Sequence, residues 1–342
     1  MRGKALLPLL PVLCLALAAP IESPPGPKDY LPPTLSLTAI PLGLDKNRPV
    51  PPDNPLTQAK VQLGRRLFFD PILSADGKVS CAGCHQPEHG FASPSRFSQG
   101  VRAKMTSRNA PTLFNRAYGT SFFWDGREAG LEAQALRPIE NPLEMGNTVA
   151  GVVKNLEKHP DYSAQFKAVF ADGITPLNLA RAISAFERVL LLGNSRVDRF
   201  RAGEVQALTS GERHGLWLYE SRGRCWRCHS GPNFTDESFH NTGVSWGKAP
   251  VDLGRFEVTK AEPDRGKFKT PTLRGLTMTA PYMHDGSIAT LEGVVEFYNQ
   301  GGGKNPNLDP AMSELGLSKE EIEDLVAFLK ALTDSSVTIQ KK

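Results

Sequence analysis

Cys81-Ala82-Gly83-Cys84-His85 and Cys225-Trp226-Arg227-Cys228-His229 are two copies of one pattern, C-x-x-C-H. Two thiols three residues apart can reach both vinyl groups of a haem, and the adjacent histidine then falls under the iron as its proximal ligand. The chain has five cysteines, and all but Cys14, near the N-terminus, belong to these motifs. Two CxxC pairs also suit a zinc ion. The histidine directly after each pair, and the placing of the pairs in separate repeats, favour haem. No βαβ pattern surrounds either motif, which argues against a thioredoxin-like CxxC. The expectation is two covalently attached haem c groups, with His85 and His229 on the irons.

The flanking sequence supplies what a haem domain needs. Leu56, Val61, Leu63, Leu67 and Phe68 give an apolar stripe that predicts a helix over about 56–68, before the first motif. Helices are also expected near 148–157, 161–171 and 177–192. Thr209-x-x-Glu212 reads as a capping box that opens a helix running into the second motif. Ser318-x-x-Glu321 caps a closing helix with Ile322, Leu325, Val326 and Leu329 on one face. Stretches 86–130 and 230–270 read as irregular. Gly 31 and Pro 28 fit long loops better than a bundle. The fold expected is mainly α: two cytochrome c-like haem domains with long loops, related by internal duplication. The division expected is a signal peptide at 1–19, an extended arm at 20–55, an N-terminal haem domain at 56–200 and a C-terminal one at 201–342.

The duplication is visible directly. Residues 111–132, PTLFNRAYGTSFFWDGREAGLE, align without gaps to residues 271–292, PTLRGLTMTAPYMHDGSIATLE, at an offset of 160. Extended further, the register sets Tyr298 against Pro138 and His284 against Trp124. If Tyr298 is the distal ligand of the second haem, proline fills the same place over the first, and proline cannot ligate iron. One iron is then open for chemistry and the other closed for electron storage. Beside Pro138 lies Asn141-Pro142-Leu143-Glu144-Met145. Glu144 reads either as a solvated loop carboxylate or as an acid/base that moves a proton between the oxygens of bound peroxide. Trp124 reads either as a packing aromatic or as an electron relay between haems. His284 could hydrogen-bond a haem propionate or a backbone group. His89, His159, His214 and His240 lack a motif and read as surface or loop residues.

The N-terminus has the form of a secretory signal: Arg2 and Lys4, an apolar run from Leu6 to Leu17, and Ala16-Leu17-Ala18 as a cleavage pattern. The run is too short to span a bilayer comfortably, and no later stretch is apolar enough. The expected location is the periplasm, with no membrane span after signal removal. A formal charge of +4 with 22% charged residues gives no nucleic-acid signal.

CAGCH, NAPTLFN, FFWDGRE, NPLEMG, CWRCH and PTLRGLTMTAPYMHDGS together resemble the bacterial dihaem cytochrome c peroxidase and MauG family, over roughly residues 55–335. The resemblance implies His85 as proximal ligand of the peroxide-reactive haem and His229 as that of the second. It implies Glu144 as distal acid/base and Trp124 as inter-haem relay. It also implies a calcium ion held by the Asn109 side chain and the carbonyls of Thr279 and Pro281. Two departures from the peroxidase branch matter. Many such peroxidases block the reactive iron with a His in the loop after the first motif; residues 90–108 contain none, and alignment puts Val101 there. Peroxidases also place Met where this chain has Tyr298. Thioether ligation raises a potential, whereas a phenolate favours ferric and higher states. In this the chain resembles MauG, with Met283 and Met312 left as alternative ligands. The implied partners are hydrogen peroxide and a periplasmic electron donor or protein substrate, the protein being a monomer or homodimer. A cytochrome c peroxidase fed by a cytochrome or cupredoxin is the second reading, and a non-catalytic dihaem carrier the third.

Overall fold

The computed structural model describes residues 37–334. The signal segment, and the arm as far as residue 36, lie outside them. Residues 37–55 run as turns and extended chain over the surface. They are fastened by the Arg274 side chain to the Gly43 carbonyl at 2.9 Å, by the Tyr118 hydroxyl to the Asp45 carbonyl at 2.8 Å, and by Leu42 N–H to Asn194 Oδ1 at 2.8 Å. No helix among the described residues is long and apolar enough to cross a membrane.

The helices are α1 (Gln58–Phe69), α2 (Leu131–Glu140), α3 (Val149–Glu157), α4 (Pro160–Val169), α5 (Pro176–Glu187), α6 (Arg196–Arg201), α7 (Ser210–Glu220), α8 (Leu291–Asn299) and α9 (Lys319–Ala331). Shorter turns carry the rest. One strand pair, β1 (Phe239–His240) and β2 (Phe268–Lys269), is antiparallel with Phe239 opposite Lys269. The architecture is mainly α, as the motifs require.

Each half is built on one close helix crossing. In the first, α1 buries Val61, Leu67 and Phe68 and crosses α5 at Gly64, where a Cβ would fall 1.8 Å from the Ala182 carbonyl oxygen. In the second, α7 crosses α9 at Gly215, where a Cβ would fall 2.0 Å from the Asp324 carbonyl oxygen. Glycine lets the backbones approach until the flanking side chains interdigitate. Leu218, Tyr219, Leu325, Phe328 and Leu329 form the core of the second crossing; Leu63, Leu179, Ile183 and Phe166 belong to that of the first. Both capping boxes are present as read, Thr209 with Glu212 and Ser318 with Glu321.

Two readings need correction. The helix α7 does not run into the second motif: it stops at Glu220, and the chain turns through Arg224, at φ 55°, before Cys225. And α2 and α8, unassigned from sequence, are the helices that carry Pro138 and Tyr298.

The duplication holds in three dimensions. At the offset of 160, α2 and α8 begin at equivalent residues, and the bridge Phe122–Glu128 repeats as Tyr282–Ile288. Positive φ recurs at Phe123 and Met283 and at Gly126 and Gly286. Between the motif and this repeat the second half is sixteen residues longer, and the strand pair lies in that stretch. The halves meet through reciprocal bonds. Asn109 N–H donates to the His284 carbonyl at 2.8 Å, and Lys269 N–H, its equivalent, donates to the Trp124 carbonyl at 2.7 Å. The equivalent carbonyls of Asp125 and Asp285 are each reached at 2.9 Å by an arginine of the other half, Arg255 and Arg96, though these two are not themselves at equivalent positions. A contact in which residue i meets j, and the equivalent of j meets the equivalent of i, is two-fold symmetric. The axis passes between Trp124 and His284.

Candidate functional site: two CxxCH centres and their bridge

Cys81–Cys84 form a single helical turn that brings His85 N–H onto the Cys81 carbonyl at 2.9 Å. No disulfide joins these cysteines, or Cys225 and Cys228. His85 Nδ1 lies 3.1 Å from the carbonyls of both Phe91 and Pro111. Carbonyls only accept, so Nδ1 carries the proton and Nε2 keeps a lone pair. The second centre repeats this: His229 N–H meets the Cys225 carbonyl at 2.9 Å, and Nδ1 lies 3.2 Å from the Phe234 carbonyl. Tyr219 adds a hydroxyl bond to the His229 carbonyl. Burial pushes both imidazoles below their ordinary pKa, so both are neutral and fit to bind iron.

Pro138 sits inside α2, and its carbonyl accepts from Met145 N–H at 3.1 Å. The turn between them carries Glu144, whose carboxylate accepts from Asn141 Nδ2 at 2.6 Å. Burial raises the Glu144 pKa; the Asn141 bond and the Arg127 charge pull it back only in part. Val101, 3% exposed, donates its N–H to the Glu144 carbonyl at 2.8 Å, so the 98–106 loop packs directly on this turn. Glu144 is also close enough to Cys81 and Cys84 to add to the burial that raises both thiols.

A cavity of about 1430 Å³, including the space open to solvent, lies against the second motif. Cys225, Cys228 and His229 line it, as does one face of α8: Leu291, Val294, Val295 and Tyr298. That spacing follows the helical period, so Tyr298 faces the cavity. Met283 and Met312 line it too. A place at Gly302 for a Cβ would lie 2.7 Å from Met312 Cε, so that methyl is packed on the 302 backbone. Burial raises the Tyr298 phenol. An apolar cavity with two thiols and one neutral imidazole is the donor set a covalently held haem needs.

Trp124 and His284 stand across the axis with ring centroids 6.3 Å apart, and both border this cavity. Trp124 Nε1 donates to the Asn109 carbonyl at 2.8 Å. His284 stacks on Phe268 at 3.5 Å. Its Nε2 is buried without a partner among the protein atoms, which fits a bound group supplying an acceptor. Burial drops this imidazole to about 4.

Of the residues implied to hold calcium, Asn109 is 4% exposed and spends its amide nitrogen on the Ser95 carbonyl at 2.9 Å, leaving Oδ1 as its donor atom. Pro281 follows Ala280 through a cis peptide bond, and Thr279 precedes that pair.

His240, expected as a surface or loop residue, instead lies half-buried in β1. It borders the second cavity with Nδ1 2.6 Å from an Asp309 oxygen and Nε2 2.9 Å from an Asp236 oxygen. Asp236 at i−4 was the one local signal; Asp309, 69 residues away, left none.

Residues 58–206 match the family model described as di-haem cytochrome c peroxidase. The chain is 41% identical over 288 residues to a methylamine utilization protein MauG of Methylorubrum extorquens, covering 83% of this chain and 81% of the relative. It is 36% identical over 324 residues to a cytochrome-c peroxidase of Denitromonas iodatirespirans, covering 86% of each. Among solved structures, a MauG-like protein associated with microbial copper homeostasis matches with a TM-score of 0.78 at 34% identity, over 93% of this chain and 97% of that one. With two CxxCH centres, a two-fold repeat and relatives matched along most of their length, the chain belongs to the di-haem cytochrome c peroxidase family, carries that family's two haem c groups, and is a peroxidase-type oxidoreductase acting on hydrogen peroxide.

Proposed function

We propose that the chain is a MauG-like periplasmic enzyme in which peroxide meets an open first haem and oxidising equivalents are shared with a Tyr298-ligated second haem, to be spent on an aromatic residue of a partner protein or on another donor. The haems supply the iron for peroxide cleavage and the second place for oxidising equivalents. Around the first, Pro138 offers no ligand atom, and Val101 stands where a blocking histidine would be needed. Glu144, held by Asn141, takes the proton from one peroxide oxygen and returns it to the other. Trp124 bridges the halves. The observation that carries the reading is the pairing of Pro138 and Tyr298 at one position of two equivalent helices, with Tyr298 on the cavity face of α8.

The repeat also supports calcium. Arg116 Nη2 donates to the Ser121 carbonyl at 3.1 Å, and Glu237 balances Arg116 at 2.8 Å. At the equivalent place Leu276 replaces Arg116 and Pro281 replaces Ser121, so that carbonyl lacks the cation its counterpart has. A calcium ion on Asn109, Thr279 and Pro281 restores it, with the oxygen ligands calcium prefers.

An ordinary cytochrome c peroxidase drawing on a cytochrome or cupredoxin is the second reading, favoured by Met283 and Met312 at the cavity. Adding peroxide to the purified ferric protein and recording spectra, with and without reduced cytochrome c, separates the two. The proposal expects a high-spin ferric first haem, rapid spectral change at both haems and no dependence on half-reduction. A methionine–iron charge-transfer band, or a ferric protein inert to peroxide until half-reduced, would sink it.

A further inference from the structure

His240 lies between two carboxylates, Asp309 on Nδ1 at 2.6 Å and Asp236 on Nε2 at 2.9 Å. A neutral imidazole has one N–H, so two such bonds to carboxylates require the imidazolium. The bond from Asp236 above all, and that from Asp309, raise the His240 pKa and hold it protonated. The triad therefore carries two negative charges and one positive. It is tied to the haem-binding turn, because Asp236 N–H donates to the Cys228 carbonyl at 2.8 Å. His240 and Asp309 border the cavity themselves. Two cationic side chains border the same cavity: Arg224, and Lys269, which shares Glu237 with Arg116.

Asp309 also holds the segment over the cavity. Its side chain accepts from Ala311 N–H at 2.8 Å, its carbonyl accepts from Met312 N–H at 2.9 Å, and its own N–H donates to the Asn241 carbonyl at 2.9 Å. Ala311, Met312 and Ser313 line the cavity, and Arg224 fastens Ser313 Oγ at 2.7 Å.

We propose that the Asp236–His240–Asp309 triad sets the reduction potential of the second haem, as a net-anionic group in the cavity wall that favours the oxidised iron, and clasps the 309–313 segment over it. The inference rests on the two-haem reading and names what keeps the second haem easily oxidised. A negative charge near a redox centre stabilises the form with more positive charge, here the ferric one, and low dielectric magnifies the effect.

The test is spectroelectrochemistry of the second haem in the holoprotein. Asp309→Asn keeps an acceptor for His240 and removes the charge. It should raise the ferrous-to-ferric ratio at fixed potential about tenfold, a shift of about 59 mV for one electron, with the low-spin EPR signal unchanged. Asp309→Glu should stay at the wild-type value. Mere loosening of the segment would admit water and move the potential down, so the sign separates charge from packing. Should Asp309→Asn not be recovered with haem, Asp236→Asn carries the same expectation. Both Asn variants at the wild-type potential, with haem and low-spin signal intact, would overturn the proposal. A wild-type protein inert to peroxide would defeat the peroxidase reading and leave this shift standing.

Discussion

Glu144 holds its proton more tightly than an exposed carboxylate, because the turn that carries it is buried under Val101. In the proposed reaction it accepts peroxide's first proton only when ionised. The rate should therefore fall as pH drops through its raised pKa, with the acid limb above the ordinary glutamate value of about 4.3. Glu144→Gln should abolish that limb and slow the reaction about 10²–10⁴-fold, as read by stopped-flow absorbance; a variant that keeps the limb removes Glu144 from the mechanism. On the proposed Tyr298 ligation, Tyr298→Phe should turn the low-spin EPR signal of the second haem high-spin; an unchanged signal removes Tyr298 as its ligand. The two haem groups were legible because CxxCH is local: the pattern that announces each lies within five positions. His240 was not, because its meaning depends on Asp309, which only the folded chain brings near. Asn109 and Trp124 were singled out by resemblance alone, and nothing in the sequence tells that the Trp124 indole donates to the Asn109 carbonyl.

Among the elements, those read correctly have strong caps and a clean apolar stripe, as α1, α5 and α9 do. Three were missed: the six-residue α6, and α2 and α8, which are ten and nine residues long. Proline inside α2 reads as a breaker, and Val294, Val295 and Phe297 give α8 weak helical propensity. Packing overrides both: α2 lies on α5, and α8 on α9. Pro138 and Tyr298, the positions proposed to set the two haems apart, thus sit on helices whose sequences announce themselves least. At the crossings, Gly215→Ala forces a methyl into the Asp324 backbone and should cost about 1–3 kcal/mol. Ser318→Ala removes one cap and should cost about 1 kcal/mol. Denaturant titration of the holoprotein distinguishes the two by size.

On the scale of the whole molecule, Arg274 is the strongest tie. It is 1% exposed and bonds both Asp198 oxygens at 2.7 and 2.9 Å, the Pro232 carbonyl and the Gly43 carbonyl of the arm. Burial alone would raise the Asp198 pKa; the Arg274 bonds outweigh it and hold the carboxyl low. A depressed carboxyl contributes stability above its unfolded pKa and loses it as pH falls through the folded one. Arg274→Ala leaves a buried charge unpaired and should cost about 3–5 kcal/mol at neutral pH, the deficit shrinking in acid; a flat pH dependence of the difference would contradict this. The reciprocal bonds across the axis have a different consequence. Asn109 to His284 and Lys269 to Trp124 are one contact made twice, the kind that two identical subunits make with each other. The chain thus has the geometry of a symmetric dimer whose two copies are joined end to end. Unlike identical subunits, joined copies can differ position by position, as Pro138 and Tyr298 do.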